Sequence, residues 1–176
     1  MSDKSVDKVH RHRDDLTGEH AFGDAGQLIF FLLFLAVWIT DSFFFKYSSF
    51  INDHIPLAAQ ITPGVIVLIA AGYLARTGLR IVFSEVREEP HVIRQGVSGV
   101  LRHLVYIGEI LLYLGLLLFR TSLAAAAVWI ITIAFLHYIS RYEEKLLLKR
   151  FGKEYEQYMR DVPMYLPRLR RRSRKH

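Results

Sequence analysis

Two stretches of the sequence set ionisable side chains into apolar surroundings. The first, QGVSGVLRHLVYIGE over 95–109, places Arg102, His103, Tyr106 and Glu109 at the start of an apolar run, with Gly96, Gly99 and Gly108 among them. The second, over 141–158, carries Arg141, the pair Glu143-Glu144, and Tyr155 and Tyr158. Ionisable groups entering a membrane are costly, so they point to function. Together these residues supply a guanidinium, an imidazole, phenols and carboxylates, the donors and acceptors that a polar cofactor needs. Glycines between them let backbone approach a ligand or another helix closely. The chain has no cysteine, which excludes disulfides, thiolate metal sites and a cysteine nucleophile.

The elements that must position these groups follow from the apolar runs. The 176 residues are the size of one domain, are 52% hydrophobic and have a mean hydropathy of +0.20. Four runs stand out, over 28–47, 65–83, 104–119 and 123–139. A spanning helix needs about 20 mostly apolar residues, so these runs predict an all-α integral membrane bundle of about four spans. The last two are a little short, which predicts that one or both are tilted or partly buried in protein. Only Arg120-Thr121-Ser122 separates them, so they form a tight helical hairpin.

Beyond residue 139, Leu146, Leu147, Phe151, Tyr155 and Tyr158 recur at helical spacing between charges. That pattern predicts a cytosolic amphipathic helix, bent or broken at Gly152 and stopped by Pro163 and Pro167. We divide the chain into a flexible tail over 1–26, a membrane domain over 27–167 with its site mainly in 95–158, and a polybasic tail over 168–176. No apolar core lies at the N-terminus, so a cleaved signal peptide is not expected. The segment 48–64, with two prolines, reads as a polar loop. Asp41 reads as an interfacial residue near Lys46, which can pair with it or snorkel beside it. Arg76 and Arg80 share a helix face and either snorkel to an interface or bind an anionic headgroup. His10-Arg11-His12 lacks further ligands at suitable spacing and reads as solvated tail. Tyr155 and Tyr158 read as packing residues or interface anchors.

Lys and Arg concentrate in the N-terminal tail, in 84–103 and in the C-terminal segment, while the two other connections hold little beyond Lys46 and Arg120. The asymmetry predicts a multi-pass protein with both termini cytoplasmic. With a net charge of +6 and a pI near 9.6, the long apolar runs favour anionic lipid over nucleic acid as the partner of the basic tail. The hairpin then brings 95–109 and 141–158 together at the cytosolic interface.

These motifs resemble the isoprenylcysteine carboxyl methyltransferase family and the related phospholipid methyltransferases. The resemblance rests on Arg102-His103-Leu104-Val105-Tyr106-Ile107-Gly108, a short hairpin, Glu143-Glu144, Phe151-Gly152-Lys153-Glu154-Tyr155, Tyr158, Val162-Pro163 and Pro167. It covers about 95–167. The resemblance implies S-adenosyl-L-methionine as cofactor, methyl transfer to a lipid, prenylated or otherwise apolar acceptor, and proximity and alignment as the main contribution of the protein. The sequence has no GxGxxG opening a βαβ unit, in keeping with a cofactor held beside the membrane. The implied cofactor-binding set is Gln95, Gly96, Val97, Arg102, His103, Tyr106, Gly108, Glu143 and Glu144, with Arg141 and Glu144 as catalytic side chains. His103 and Tyr106 would hold the amino-acid end or sulfonium region, and the glutamates its hydroxyls or amino group. Glu109 would pair with the cofactor amine or with Arg102, and 141–158 would fold back as a lid.

The chain departs from the family pattern at Leu104, where proline is usual, and at Ser98, Gln95 and Ile139. Ile139 stands where the family often has arginine, and Arg141 is the nearby substitute. That loss weighs against carboxyl methylation of a prenylated protein, not against cofactor binding. Two rival readings remain: an NADPH-dependent reductase, because sterol reductases resemble the same C-terminal pattern, and a non-catalytic protein on the same scaffold. Since the chain has no cysteine, Ser2→Cys and Ser173→Cys give clean labels for topology. Both are expected to react with a membrane-impermeant maleimide only from the cytosolic side. Labelling from opposite sides would overturn the even number of crossings.

Overall fold

The computed structural model describes residues 23–85 and 101–165, with the side chains of 81–85 excepted. Every regular element among them is helical. Helix α1 covers Gly23–Phe45 and ends in a π-helical turn over Thr40–Phe45. A short 3-10 turn, Phe50–His54, leads to α2, Leu57–Glu85. Helices α3, Leu104–Phe119, and α4, Leu123–Phe151, form the hairpin, and α5 covers Lys153–Asp161. Among the described residues three segments are long and apolar enough to cross a membrane: Gly23–Phe45, Leu57–Arg80 and Leu123–Phe151. Helix α3 has 16 residues, about 24 Å at ~1.5 Å rise per residue.

Shortness in α3 goes with centrality. Its buried residues, Leu104, Tyr106, Gly108, Tyr113, Gly115 and Leu117, face three different neighbours. Toward α1 and α4, Phe34, Tyr113, Leu117 and Ala125 make the main core, with the Phe34 and Tyr113 rings stacked 4.4 Å apart. Closer to the α3 N-terminus, Tyr106 packs with Leu136 and Ile139 of α4. Toward α2 the seam is made of small residues. A Cβ on Gly108 would lie 3.0 Å from the Ala75 nitrogen and 3.2 Å from the Ala71 oxygen, and one on Gly115 would meet Leu68 at 2.6 Å. Gly64 and Gly78 on α2 are equally close to Phe119 and Val105. These pairings run antiparallel, so glycine and alanine let two backbones touch where larger side chains would hold them apart.

The helices alternate in direction. Gly23, the end of α2, Leu104 and Ile139 lie at one end of the bundle, here the site end. Phe45, Leu57, Phe119 and Leu123 lie at the far end. There the connections are tied by buried polar groups. Asp41 accepts hydrogen bonds from the Ser48 amide at 3.0 Å, from the Ser48 hydroxyl and from the Ser122 hydroxyl. Ser122 in turn caps α4 by accepting from the Ala125 amide at 3.1 Å. Asn52 bridges Ser49 and Thr121, donating to both carbonyls at 2.7 Å and accepting from the Thr121 amide at 2.8 Å.

Several expectations change. Helix α1 starts at Gly23, inside the segment expected to be tail, and ends at Phe45. The polar loop 48–64 is half helix: α2 begins at Leu57 and contains Pro63. Pro56 sits before its first turn, where its carbonyl accepts from the amides of Ala59 and Gln60. Pro63 costs the helix one amide donor, yet the chain stays helical. Asp41 is buried in the serine network instead of pairing with Lys46. The fourth run continues as one helix to Phe151, so the chain does not fold back at Arg141. The reversal comes at Gly152, whose φ of 54° and ψ of −125° suit glycine. Arg76 and Arg80 are both exposed. The tail 1–22, the segment 86–100 with Gln95, Gly96, Val97, Ser98 and Gly99, and the residues from 166 on, including Pro167 and the polybasic tail, lie outside the described residues.

The seam predicts a contrast between two glycines of α2 and α3. Gly108→Val must push backbone apart and is expected to cost about 1–3 kcal/mol. Gly72 has nothing within 4 Å of an added Cβ, so Gly72→Ala is expected to be neutral or to stabilise by about 0.5–1 kcal/mol through helix propensity. Thermal denaturation in detergent reads both, and equal midpoints for the two variants would remove the seam from the account.

Candidate functional site

Three segments meet at the site end. The residues before α3 carry Arg102 and His103, and the first turn of α3 carries Tyr106. The part of α4 nearest the site end carries Ser140, Glu143 and Glu144. The chain after α5 returns as 162–165 and is tied in by the Arg102 amide, which donates to the Pro163 carbonyl at 3.2 Å. Helix α5 is held by Tyr155, Tyr158 and Val162 packing on Leu147, Phe151 and Met159. Of the expected apolar set, Leu147, Phe151, Tyr155 and Tyr158 are therefore brought together across two helices.

Glu144 is the centre. It is 2% exposed. Its Oε1 lies 2.8 Å from Arg102 Nη1 and 3.3 Å from His103 Nε2, and its Oε2 lies 3.9 Å from Arg141 Nη1. The Arg102 side chain is itself 9% exposed, whereas that of Arg141 is 60% exposed. Among the described residues Arg102, with His103 beside it, meets the Glu144 carboxylate away from solvent. Glu143 turns to a different partner and accepts a short hydrogen bond, 2.5 Å, from the Tyr106 hydroxyl. His103 stacks flat on the Tyr106 ring, 5.4 Å apart and 3° from parallel.

The cluster is incompletely satisfied. Arg102 Nη1 is close to Glu144 but not aligned for a hydrogen bond. Arg102 Nε and Nη1 and Glu144 Oε2 are all buried without a hydrogen-bond partner among the described residues. Unmet donors and acceptors of this kind are costly and uncommon in a folded protein.

Sequence reasoning missed three residues here. The Tyr165 hydroxyl donates to Ser140 Oγ at 2.9 Å. The Tyr165 ring lies 6.2 Å from His103 and 5.9 Å from His137. Burial raises the Tyr165 phenol above its ordinary range. Burial, reinforced by the Glu144 charge, does the same more strongly for Tyr155. Both phenols stay protonated at neutral pH. The only sequence signal for Tyr165 was its place between Pro163 and Pro167, read as a helix stop.

Of the expected set, the structure brings together Arg102, His103, Tyr106, Glu143 and Glu144, with Arg141 at the edge. It turns the open face of Gly108 toward α2 instead of the cluster. Glu109 pairs with neither Arg102 nor the cluster, and accepts from the Tyr113 hydroxyl at 2.8 Å. Among the described residues no group of histidines and carboxylates is arranged to hold a metal ion. No family model matches the chain, and neither a curated protein nor a solved structure matches it.

The buried ion pair makes a sharp prediction. Arg102→Leu leaves Glu144 charged, buried and uncompensated, and is expected to cost about 3–5 kcal/mol of stability. Adding Glu144→Gln to that variant removes the charge and should recover much of the loss. Denaturation of the single and double variants in detergent checks this, and a double variant no more stable than Arg102→Leu would contradict it.

Proposed function

We propose that the chain is an S-adenosyl-L-methionine-dependent membrane methyltransferase acting on an apolar or lipid-linked acceptor at the cytosolic interface. The observation that carries the reading is the buried Arg102–Glu144 pair with its unbonded Nε, Nη1 and Oε2 atoms. These atoms fit the cofactor: buried guanidinium donors suit its carboxylate, and a buried carboxylate oxygen suits its ammonium or a ribose hydroxyl. The resemblance over 102–108, 143–144 and 151–163 points to the same group.

Bound there, S-adenosylmethionine supplies an electrophilic methyl group on a sulfonium. Arg102 and Glu144 bind and orient it through the atoms they leave unbonded. Tyr106, fixed by its hydrogen bond to Glu143, keeps the His103 ring stacked beside the pair. Glu143 and Glu144 supply negative charge beside a cation. Helix α5 and the returning segment 162–165 exclude water from the cluster, which strengthens each of these interactions. In the same reading α3 is the fourth crossing, shortened because protein surrounds it, and both termini are cytoplasmic.

A thermal shift in detergent tests the proposal. S-adenosylhomocysteine is expected to raise the melting temperature, by the equivalent of about 2.7 kcal/mol at ~100 times its Kd. In calorimetry, His103→Ala should weaken that binding. Stabilisation by NADPH instead would move the reading to a reductase, and stabilisation by neither to a non-catalytic protein.

A further inference from the structure

Glu109 stands outside the cluster just described. It lies five residues past the start of α3, roughly 7.5 Å at ~1.5 Å per residue. It opens instead on a cleft of about 340 Å³ between α1 and α3, lined by Gln27, Leu28 and Phe31 from one helix and Glu109 and Leu112 from the other. Leu28 is 57% exposed, so the cleft is open at the side of the bundle. Its walls are apolar apart from Gln27 and Glu109.

The carboxylate is held in place. The Tyr113 hydroxyl donates to Glu109 Oε1, and the Tyr113 ring is clamped by Phe34 at 4.4 Å and Phe31 at 6.1 Å. Among the described residues no cation pairs with Glu109. An ionised carboxylate offers about four acceptor positions, and Tyr113 fills one. A fixed acceptor with open capacity, set in an apolar cleft beside the bilayer, matches one kind of ligand.

We propose that the α1–α3 cleft binds an amphiphile with an apolar chain and a hydrogen-bond-donating, non-anionic head, and that Glu109 receives the head. The chain lies along Leu28, Phe31 and Leu112, and Gln27 flanks the head with a donor and an acceptor. A carboxylate head is excluded because it has no hydrogen to donate to Glu109. Tyr106 precedes Glu109 by one helical turn, so the head rests one turn below the cluster. That the amphiphile is the methyl acceptor rests on the proposed function; the binding site itself does not.

The test uses the full chain in phosphatidylcholine nanodiscs without cofactor. Three photoreactive C12 probes differ only in the head: hydroxyl, ammonium or carboxylate. Mass spectrometry locates the crosslinks. Hydroxyl and ammonium probes are expected to label peptides bearing Gln27, Leu28, Phe31 and Leu112 roughly tenfold more than the carboxylate probe. Glu109→Gln should erase the preference for ammonium over carboxylate while keeping hydroxyl labelling. Leu28→Trp should fill the cleft and lower labelling by all three. Circular dichroism and melting temperature of each variant report folding. Equal labelling by the carboxylate probe, or an unchanged head preference in a folded Glu109→Gln, overturns the site. The S-adenosylhomocysteine shift on the same samples keeps the two readings apart. Labelling without the shift leaves the cleft and removes the methyltransferase, and the shift without labelling does the reverse.

Discussion

A carboxylate buried on α4 is the constraint around which the site end is arranged. Taking Glu144 out of water costs several kcal/mol even after relaxation, so a partner must come with it. Arg102 is that partner, and it arrives from a different segment. The start of α3, the end of α4 and the chain beyond α5 are thereby forced into one place, since the Arg102 amide also holds the Pro163 carbonyl. Apolar residues of the same volume would serve stability as well or better. A structural purpose alone therefore explains poorly why Arg102 Nε and Glu144 Oε2 are left unbonded. The proposed cofactor would supply the missing partners.

The site end can carry unmet polar atoms because the rest of the bundle is firmly closed. At the far end Asp41 accepts from Ser48 and Ser122, and Asn52 pairs with Thr121, so the α1–α2 and α3–α4 connections are joined. Along the bundle, backbone contact at Gly108 and Gly115 locks α2 to α3. The central helix is thus held at its far end and along one side. Its first turn meets Gly78 of α2 through Leu104 and Val105 and packs on Leu136 and Ile139 of α4 through Tyr106.

Much of this was legible in the sequence, because it depends on local chemistry. The polar triplet Arg120-Thr121-Ser122 and the Ser122 cap set the hairpin limits. Gly152 set the break before α5, and Pro163 its end. What was not legible depends on which face meets which neighbour. Pro56 and Pro63 read as loop residues, yet one precedes the first turn of α2 and the other is accommodated within it. Asp41 has a lysine five residues away, but three serine and backbone donors reach it through the fold. Arg141 reads as the start of a separate segment because charge begins there, while the backbone continues unbroken. Charge marks where a helix leaves apolar surroundings, not where it stops.

The glutamate pair shows how one local motif serves two purposes. Neighbours on a helix point about 100° apart, a consequence of ~3.6 residues per turn. Glu144 therefore faces Arg102 while Glu143 faces Tyr106, and one residue cannot replace the other. His103 sits between them, with Nε2 at 3.3 Å from Glu144 and Nδ1 at 3.8 Å from Glu143. With the proton on Nε2 the imidazole donates to Glu144, and its stacking on Tyr106 ties that contact to the Glu143 hydrogen bond. Movement of either glutamate is then felt by the other through one imidazole and one phenol. The uninterrupted α4 makes both glutamates part of the same rod as the core residues Ala125 and Leu136. The cluster is placed by the bundle itself, and only its covering by α5 depends on the turn at Gly152.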